Sequence, residues 1–415
     1  MEVRPGYKLT EVGVIPEDWI VLKLPDVSWF QEGPGLRNWQ FTRSGMKVIN
    51  VTNLDGGVLN LDKTDRHISM SEFSQAYHHF AIDAGDFVMA SSGNSYSKTA
   101  VVRQQDLPLV MNTSVIRFKA LKTLDYGFLW VFLNSPQFKD QIDLMITGGA
   151  QPNFGPFHLK RINVPVPPLT EQYAIAKALN DIGTLLGALE RIIAKVRDLK
   201  QAVMQQLLSG QTRLLGFQGV WETRALADLA DIRSGGTPST TEPQFWDGEI
   251  PWCTPTDITA LAGHKYLSDT SRRITEHGLK SSSAEMIPAN SIVMTSRATI
   301  GECAINTVPV STNQGFKNFV PYQHVDVDFL YYLLATQKQG FITLCGGSTF
   351  LEIGKGQLAA YEVCLPADKA EQTAIATVLS DMDAELAALE QRLAKTRALK
   401  QGMMQELLTG RTRLV

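Results

Sequence analysis

Two stretches of this chain are close to the same phrase: EQYAIAKALNDI begins at Glu171 and EQTAIATVLSDM begins at Glu371. Aligned at a constant offset of 200, residues 171–214 and 371–414 are identical at 25 of 44 positions. In the first copy apolar residues recur at Ile175, Leu179, Ile182, Leu186, Leu189 and Leu199. In the second they recur at Ile375, Leu379, Met382, Leu386, Leu389, Leu393 and Leu399. Steps of four and three make a heptad seam, the stripe of a long helix that packs on another helix. Thr170 and Asp368 stand where N-caps belong, Asp368 at capping-box spacing from Glu371, and Gly210 and Gly410 stand where left-handed C-caps belong. Each helix then runs for about 38 residues, or ~55 Å at ~1.5 Å per residue.

Connection length decides how the two helices pair. The first ends near Leu208, and the chain returns to the second at Asp368 after one domain-sized segment. An antiparallel pair needs that segment only to sit beside one end. A parallel pair needs it to carry the chain back ~55 Å, against an expected radius of gyration of ~15 Å. The helices are therefore expected to run antiparallel as a coiled coil.

The segments ahead of each helix also echo each other. AGDFVMASSG at 84 matches PANSIVMTSRATIG at 288, and DYGFLWVFLNSPQF at 125 matches DVDFLYYLLATQKQGF at 326. LLTGRTRLV at the carboxyl end and EVGVIPEDW near the start read as a cut version of the LLSGQTRLLGFQGVWET joint at 207. The expected organisation is a tandem repeat with pseudo-twofold symmetry: a domain over 1–165, a long helix over 166–214, a second domain over 215–366 and a second long helix over 367–415. Alternating stretches such as FVMAS, SVIRF, SIVMTS and ECAIN read as half-buried strands, and DYGFLWVFL and DVDFLYYLL as short helices. The fold class is α+β, with two mixed α/β domains joined by the helix pair.

Composition narrows the chemistry. With 39 Lys and Arg against 42 Asp and Glu, the formal charge is −3, so a nucleic-acid partner would have to be met by local cations rather than by a strong overall field. Cys253, Cys303, Cys345 and Cys364 show no CxxC spacing and read as buried free thiols. No run approaches the ~20 apolar residues that cross a bilayer, which points to a cytoplasmic protein with no membrane partner. There is no GxxxxGK[ST], HExxH or GxSxG motif, and GGSTFLEIGKG has the wrong spacing for a phosphate loop. His78 and His79 read as packing or surface residues, and no catalytic residue or metal ligand is assigned. Polar loops remain: SGNSYSK at 92, GGAQPNF at 148, RSGGTPSTT at 233, SRATIG at 296 and STNQGFKN at 311. Their short donors and acceptors suit phosphates and base edges, and they equally suit ordinary turns.

Several of these stretches together resemble the specificity subunits of Type I restriction-modification systems. The likeness is carried by GYKLTEVGVIPEDW at 6, VPVPPLTEQ at 164, DIRSGGTPSTTEPQFWDGEIPWCTPTDI at 231, SIVMTSRATIGECAI at 291, NQGFKN at 313 and both LExxxAKxRxLKQxxMQxLLxG helices. The resemblance implies two target recognition domains, each reading half of a bipartite site on double-stranded DNA. It implies helices that set the unread spacer and dock two modification (methyltransferase) subunits. S-adenosylmethionine is then expected on those partners and no cofactor on this chain, which is not itself an enzyme, and restriction/translocase subunits can join. Loop position and donor type single out Arg37, Asn94, Tyr96, Lys98, Gln151 and Asn153 in the first domain for DNA contact. In the second they single out Arg233, Thr237, Arg297, Thr299, Asn313, Lys317 and Lys355. WFQEGPGLRNWQ at 29 occupies the place of the second domain's SGGTPS stretch. Two other readings stay open: the specificity chain of a system with a fused methylase-nuclease, and a scaffold that joins proteins without touching DNA.

Overall fold

A computed structural model of the chain describes residues 4–146, 152–345 and 351–414. The chain divides into two compact units, residues 1–190 with 392–415, and residues 191–391. Each unit therefore holds one domain, the start of one long helix and the end of the other. The helices span Leu169–Leu208 and Lys369–Leu407.

The first unit is built on a mixed sheet in the order Ser28–Glu32, Val115–Ala120, Phe87–Ala90, Thr99–Val101, Gly57–Leu59, Leu54–Asp55. The second repeats the pattern with Ala230–Ser234, Phe316–Pro321, Ser291–Thr295, Cys303–Asn306 and Tyr266–Leu267. Register makes the correspondence explicit. Phe87 pairs with both Phe118 and Val101, and Ile292 pairs with both Phe319 and Ile305. A smaller sheet lies over one face of each, containing Met46–Ile49 and Leu109–Met111 in the first unit and Trp246–Cys253 and Ser311–Thr312 in the second.

Among the strands read as half-buried, Phe87–Ala90 and Ser291–Thr295 are buried throughout. Phe87 and Met89 pack toward the Tyr126–Leu133 helix and the long-helix residues Ile175 and Leu179, while Val88 and Ala90 pack toward the smaller sheet. Ile292 and Met294 face Phe329 and Leu333, and Val293 faces Cys253 and Val310. A second layer on each face removes the solvent side that an alternating strand would otherwise keep.

The antiparallel arrangement is visible inside each unit separately. In the first, Ile175, Ala176 and Leu179 share a core with Met404, Leu407 and Leu408 from the far end of the other helix. In the second, Ile375, Ala376 and Leu379 share one with Leu207 and Leu208. Leu189 and Leu386 are also buried, and Ile182, Leu186, Met382, Leu389 and Leu393 are half-buried. Leu199 and Leu399 correct the expected seam: each is 57% exposed. Lys200 and Lys400 take the inward turn instead, because a straight helix of ~3.6 residues per turn drifts off a strict seven-residue repeat. Lys200 is neutralised by Asp383. Its counterpart Lys400 lies against Gly183, where Asp383 has no equivalent carboxylate, and burial lowers its pKa.

The helix ends differ in part from expectation. Gly210 and Gly410 close the helices at φ of +71° and +66°, as C-cap chemistry requires. Thr170 lies inside the first helix rather than capping it, because the helix begins one residue earlier at Leu169. Asp368 does cap, accepting from Ala370 N–H at 2.9 Å. Glu371 does not complete a capping box and is instead used by the joint between domain and helix. Its carboxylate, 1% exposed, accepts from Arg213 Nε at 2.5 Å and Nη2 at 2.7 Å and from Trp221 Nε1 at 3.3 Å. Glu171, fully buried, accepts likewise from Arg413 at 2.7 and 2.8 Å and from Trp19 Nε1 at 3.0 Å. Arg413 also reaches Asp18, and the Tyr7 hydroxyl donates to Gly410 C=O at 2.9 Å. In the first unit the two ends of the chain therefore meet as the continuous joint does in the second. Of the four thiols, Cys253 is buried, Cys303 and Cys345 are half-buried and Cys364 is exposed. Cys364 points outward because it alternates with the buried Val363 and Leu365 along the Glu362–Pro366 strand.

Candidate nucleic-acid interface

Each large sheet ends in a polar turn at matching positions. In the first unit Ala90 N–H donates to Lys98 C=O and Ser97 N–H to Ala90 C=O; in the second Thr295 and Glu302, then Gly301 and Thr295, make the same bonds. Ser97 and Gly301 both have positive φ, +62° and +84°. The turns are held from one side by a single backbone bridge, Ser92 with Asn153 and Arg297 with Glu352. From another side a chain reversal approaches, with Ser91 N–H on Ser114 C=O and Ser296 N–H on Gly315 C=O. Directly beneath, Gly33 and Gly235 lie so close to Asn112 and Asn313 that an added Cβ would sit 2.1 and 1.8 Å from those carbonyl oxygens. Gly33 is therefore the first domain's counterpart of the opening glycine in SGGTPS.

Polar residues collect around these turns. Ser91 Oγ and Ser296 Oγ, at matching places, are buried with no hydrogen-bond partner among the described residues. The next strand end adds an Asx or Thr turn: Asn50 N–H donates to Asn53 Oδ1 at 2.9 Å and Thr254 N–H to Asp257 Oδ2 at 2.7 Å. In the first domain the result is an open cleft of about 760 Å³ lined by Asn50, Thr52, Lys63, Arg66, Ser92 and Lys98 among others. Among its described lining residues there are three cations and no carboxylate.

The residues singled out from sequence fall into three groups. Lys98 and Asn153 are exposed at the first turn, with Asn94 in the backbone of the same turn, and Thr299 and Lys355 are exposed around the second, where the half-buried Asn313 already accepts from Gly315 N–H through Oδ1 at 2.9 Å. A second group is already engaged. The Tyr96 hydroxyl donates to Asp143, and burial together with that carboxylate pushes its pKa up to about 12, so it remains a protonated donor with its proton committed. Thr237 is hydrogen-bonded to Gln314, Arg233 is paired with Asp231 at 2.7 Å and Arg297 with Glu352 at 2.9 Å. Lys317 is only 6% exposed, and burial lowers its pKa. Two remain: Arg37 is exposed before the Asn38–Gln40 turn and is not among the residues that line the described cleft, and Gln151 lies outside the described residues.

Sequence reasoning missed Asn50, Thr52, Lys63 and Arg66. For Asn50 and Thr52 the signal was the match of NVTN at 50 to TPTD at 254, which shares one identity, Thr52 with Thr256, and the spacing of its cap-forming residues. Glu32 was missed as well. It is half-buried beside Gly155, and burial raises its pKa against the opposing Ser114 backbone hydrogen bond.

A family model described as Type I restriction modification DNA specificity domain matches residues 16–197 and again 219–396. The specificity subunit of the MjaIX Type I restriction enzyme of Methanocaldococcus jannaschii is 40% identical over 165 residues, 39% of this chain and 38% of that one. The MjaVIII specificity subunit of the same organism is 28% identical over 214 residues, half of each chain. The chain thus spans half or less of the length of these two curated relatives. The crystal structure of a Type I restriction-modification S subunit from M. genitalium superposes with a TM-score of 0.58 at 16% identity, covering 98% of both chains. At that identity it speaks for the fold.

Proposed function

Because the chain belongs to the Type I restriction modification DNA specificity family, matched in both halves, we propose that it is a non-catalytic recognition subunit reading an asymmetric, two-part site on duplex DNA. Each domain takes one half-site. The observation that carries this reading is one scaffold bearing two sets of readers. The same turn, bridge and glycine contact recur in both domains, yet present Ser92 with Asn153 in one and Arg297 with Glu352 in the other. A repeated backbone with unlike side chains suits two different base sequences approached in the same way. The cleft of the first domain is lined by Lys63, Arg66 and Lys98, and although Asp55 lies 4.0 Å from Lys63, it supplies local positive charge in a chain whose total is −3.

In this reading the long helices set the separation of the domains and offer their outer faces to two methyltransferase subunits, with restriction/translocase subunits joining that assembly. Chemistry on adenine belongs to the methyltransferase subunits, which hold S-adenosylmethionine. The protein works on DNA in the cytoplasm, in keeping with the absence, among the described residues, of a helix long and apolar enough to cross a membrane.

The test is selection of bound duplexes from a random pool by the full chain with the subunits that copurify with it, together with mapping of methylated adenines in host DNA. Two unlike conserved blocks around a spacer of fixed length are expected, with affinity falling steeply in salt. An unselective pool, or binding indifferent to salt, contradicts the proposal and favours a protein scaffold.

A further inference from the structure

Glu352 stands at the centre of a charge cluster that stability does not account for. Its Oε1 lies 2.9 Å from Arg297 Nη2, and both side chains are about a third exposed, at 35% and 33%. An ion pair this open to solvent adds little to folding. Lys317 lies beneath it, 94% buried; among the described residues its ammonium reaches only the Phe316 carbonyl, at 3.4 Å. Arg297 Nε is also buried with no partner. Glu352 favours the charge on Lys317, while Arg297 and Lys355 oppose it. One carboxylate thus serves three cations.

The first domain shows that the fold does not need this arrangement. At the matching backbone positions it has Ser92, Asn153 and, in the register of Lys317, Ile116. An apolar side chain at that place on the sheet is stable, and a neutral bridge holds the turn. The second domain keeps a buried lysine and a half-buried arginine around a single acid, a set with donors left over for a binding partner.

We propose that Glu352 is a positioning residue for specificity: it holds the Arg297 guanidinium for a base edge and withholds it from the phosphate backbone. This rests on the recognition reading given above. Phosphates attract a lone guanidinium wherever they meet it, which raises binding to every sequence equally. A guanidinium already paired with a carboxylate carries little net charge at a distance, so an arbitrary duplex gains little from it. Glu352 takes one N–H of Nη2 and Nε is buried, which leaves the Nη1 end of the planar fork, with the second Nη2 N–H, to meet two acceptors in fixed geometry. Guanine O6 and N7 present such a pair in the major groove. Discrimination then comes from weakened binding to wrong sequences as well as from contact with the right one.

The experiment compares the full chain, with its copurifying subunits, on two duplexes across a salt series: one of random sequence and one enriched from a random pool. Glu352→Gln is expected to raise affinity for the random duplex about three- to tenfold. It should also steepen the dependence of log affinity on log salt by about 0.9, one added phosphate contact. The preference for the enriched duplex should fall about tenfold. Glu352→Asp keeps the charge and the wild-type salt dependence. Arg297→Ala should weaken the enriched duplex ten- to a hundredfold while changing the random one less than about threefold. Thermal unfolding of each variant confirms that it is folded. An unchanged random-duplex affinity and salt slope in Glu352→Gln, or equal weakening of both duplexes in Arg297→Ala, overturns the assignment. Wild-type protein that shows no salt-dependent duplex binding overturns the recognition reading itself, a separate outcome.

Discussion

Lys317 is a side chain whose burial works against the stability of the fold. Burial disfavours its charge, so the folded chain binds that proton more weakly than the unfolded chain, whose value is near 10.5. Stability therefore rises with pH between the lowered folded value and the unfolded one, and the penalty is complete below that window. Lys317→Met should unfold at higher temperature than wild type at neutral pH, with the gap closing toward pH 10.5, and should bind duplex DNA more weakly. A lower melting temperature at neutral pH would show that the ammonium is satisfied in the fold. Glu371 is the opposite case, a buried charge with a complete set of donors. Arg213→Ala leaves that carboxylate inside with only an indole N–H and should cost about 3 kcal/mol in denaturant unfolding. A loss under about 1 kcal/mol would mean that water reaches the site.

At the scale of elements, the long helices obey burial rather than the letter of their repeat. Leu379 has no exposed surface and Leu399 is 57% exposed, although both fit the same heptad list. Leu379→Ala should cost about 2–5 kcal/mol, and Leu399→Ala less than about 0.5 kcal/mol. Equal losses, measured by chemical denaturation, would place Leu399 in the seam after all. The central strands give the same lesson. FVMA and the IVM centre of SIVMT are apolar on both faces, and the smaller sheet packed on the far side of each large one explains why neither centre keeps a polar face. Sequence alternation pointed to strands correctly but could not reveal a second covering layer assembled from segments distant along the chain.

For the whole molecule, the proposed division of labour makes spacer length a property of the helices and base sequence a property of the loops. Insertion of one heptad into both long helices together should change the number of unread base pairs while both conserved blocks stay the same, read from methylated sites or selected duplexes. A spacer of unaltered length would mean that the helices do not set it. Exchange of the turn carrying Arg297 should leave the spacer untouched.

The repeat at an offset of 200, the antiparallel pairing and the glycine caps were all legible in the residues, because helices declare themselves through local periodicity and because loop length limits where a chain can go. The loops at the sheet ends were legible as polar turns, and Lys98, Asn153 and Asn313 lie on or beside them. Which of their side chains are free was a matter for tertiary structure alone. Tyr96 spends its hydroxyl on Asp143, Arg297 faces Glu352, and Lys317 disappears under both, while Lys63 and Arg66 arrive at the first cleft from segments no motif marked. Periodicity is written in neighbours along the chain; the ionic and polar environment of a side chain is written by neighbours in space, which only the folded backbone brings together.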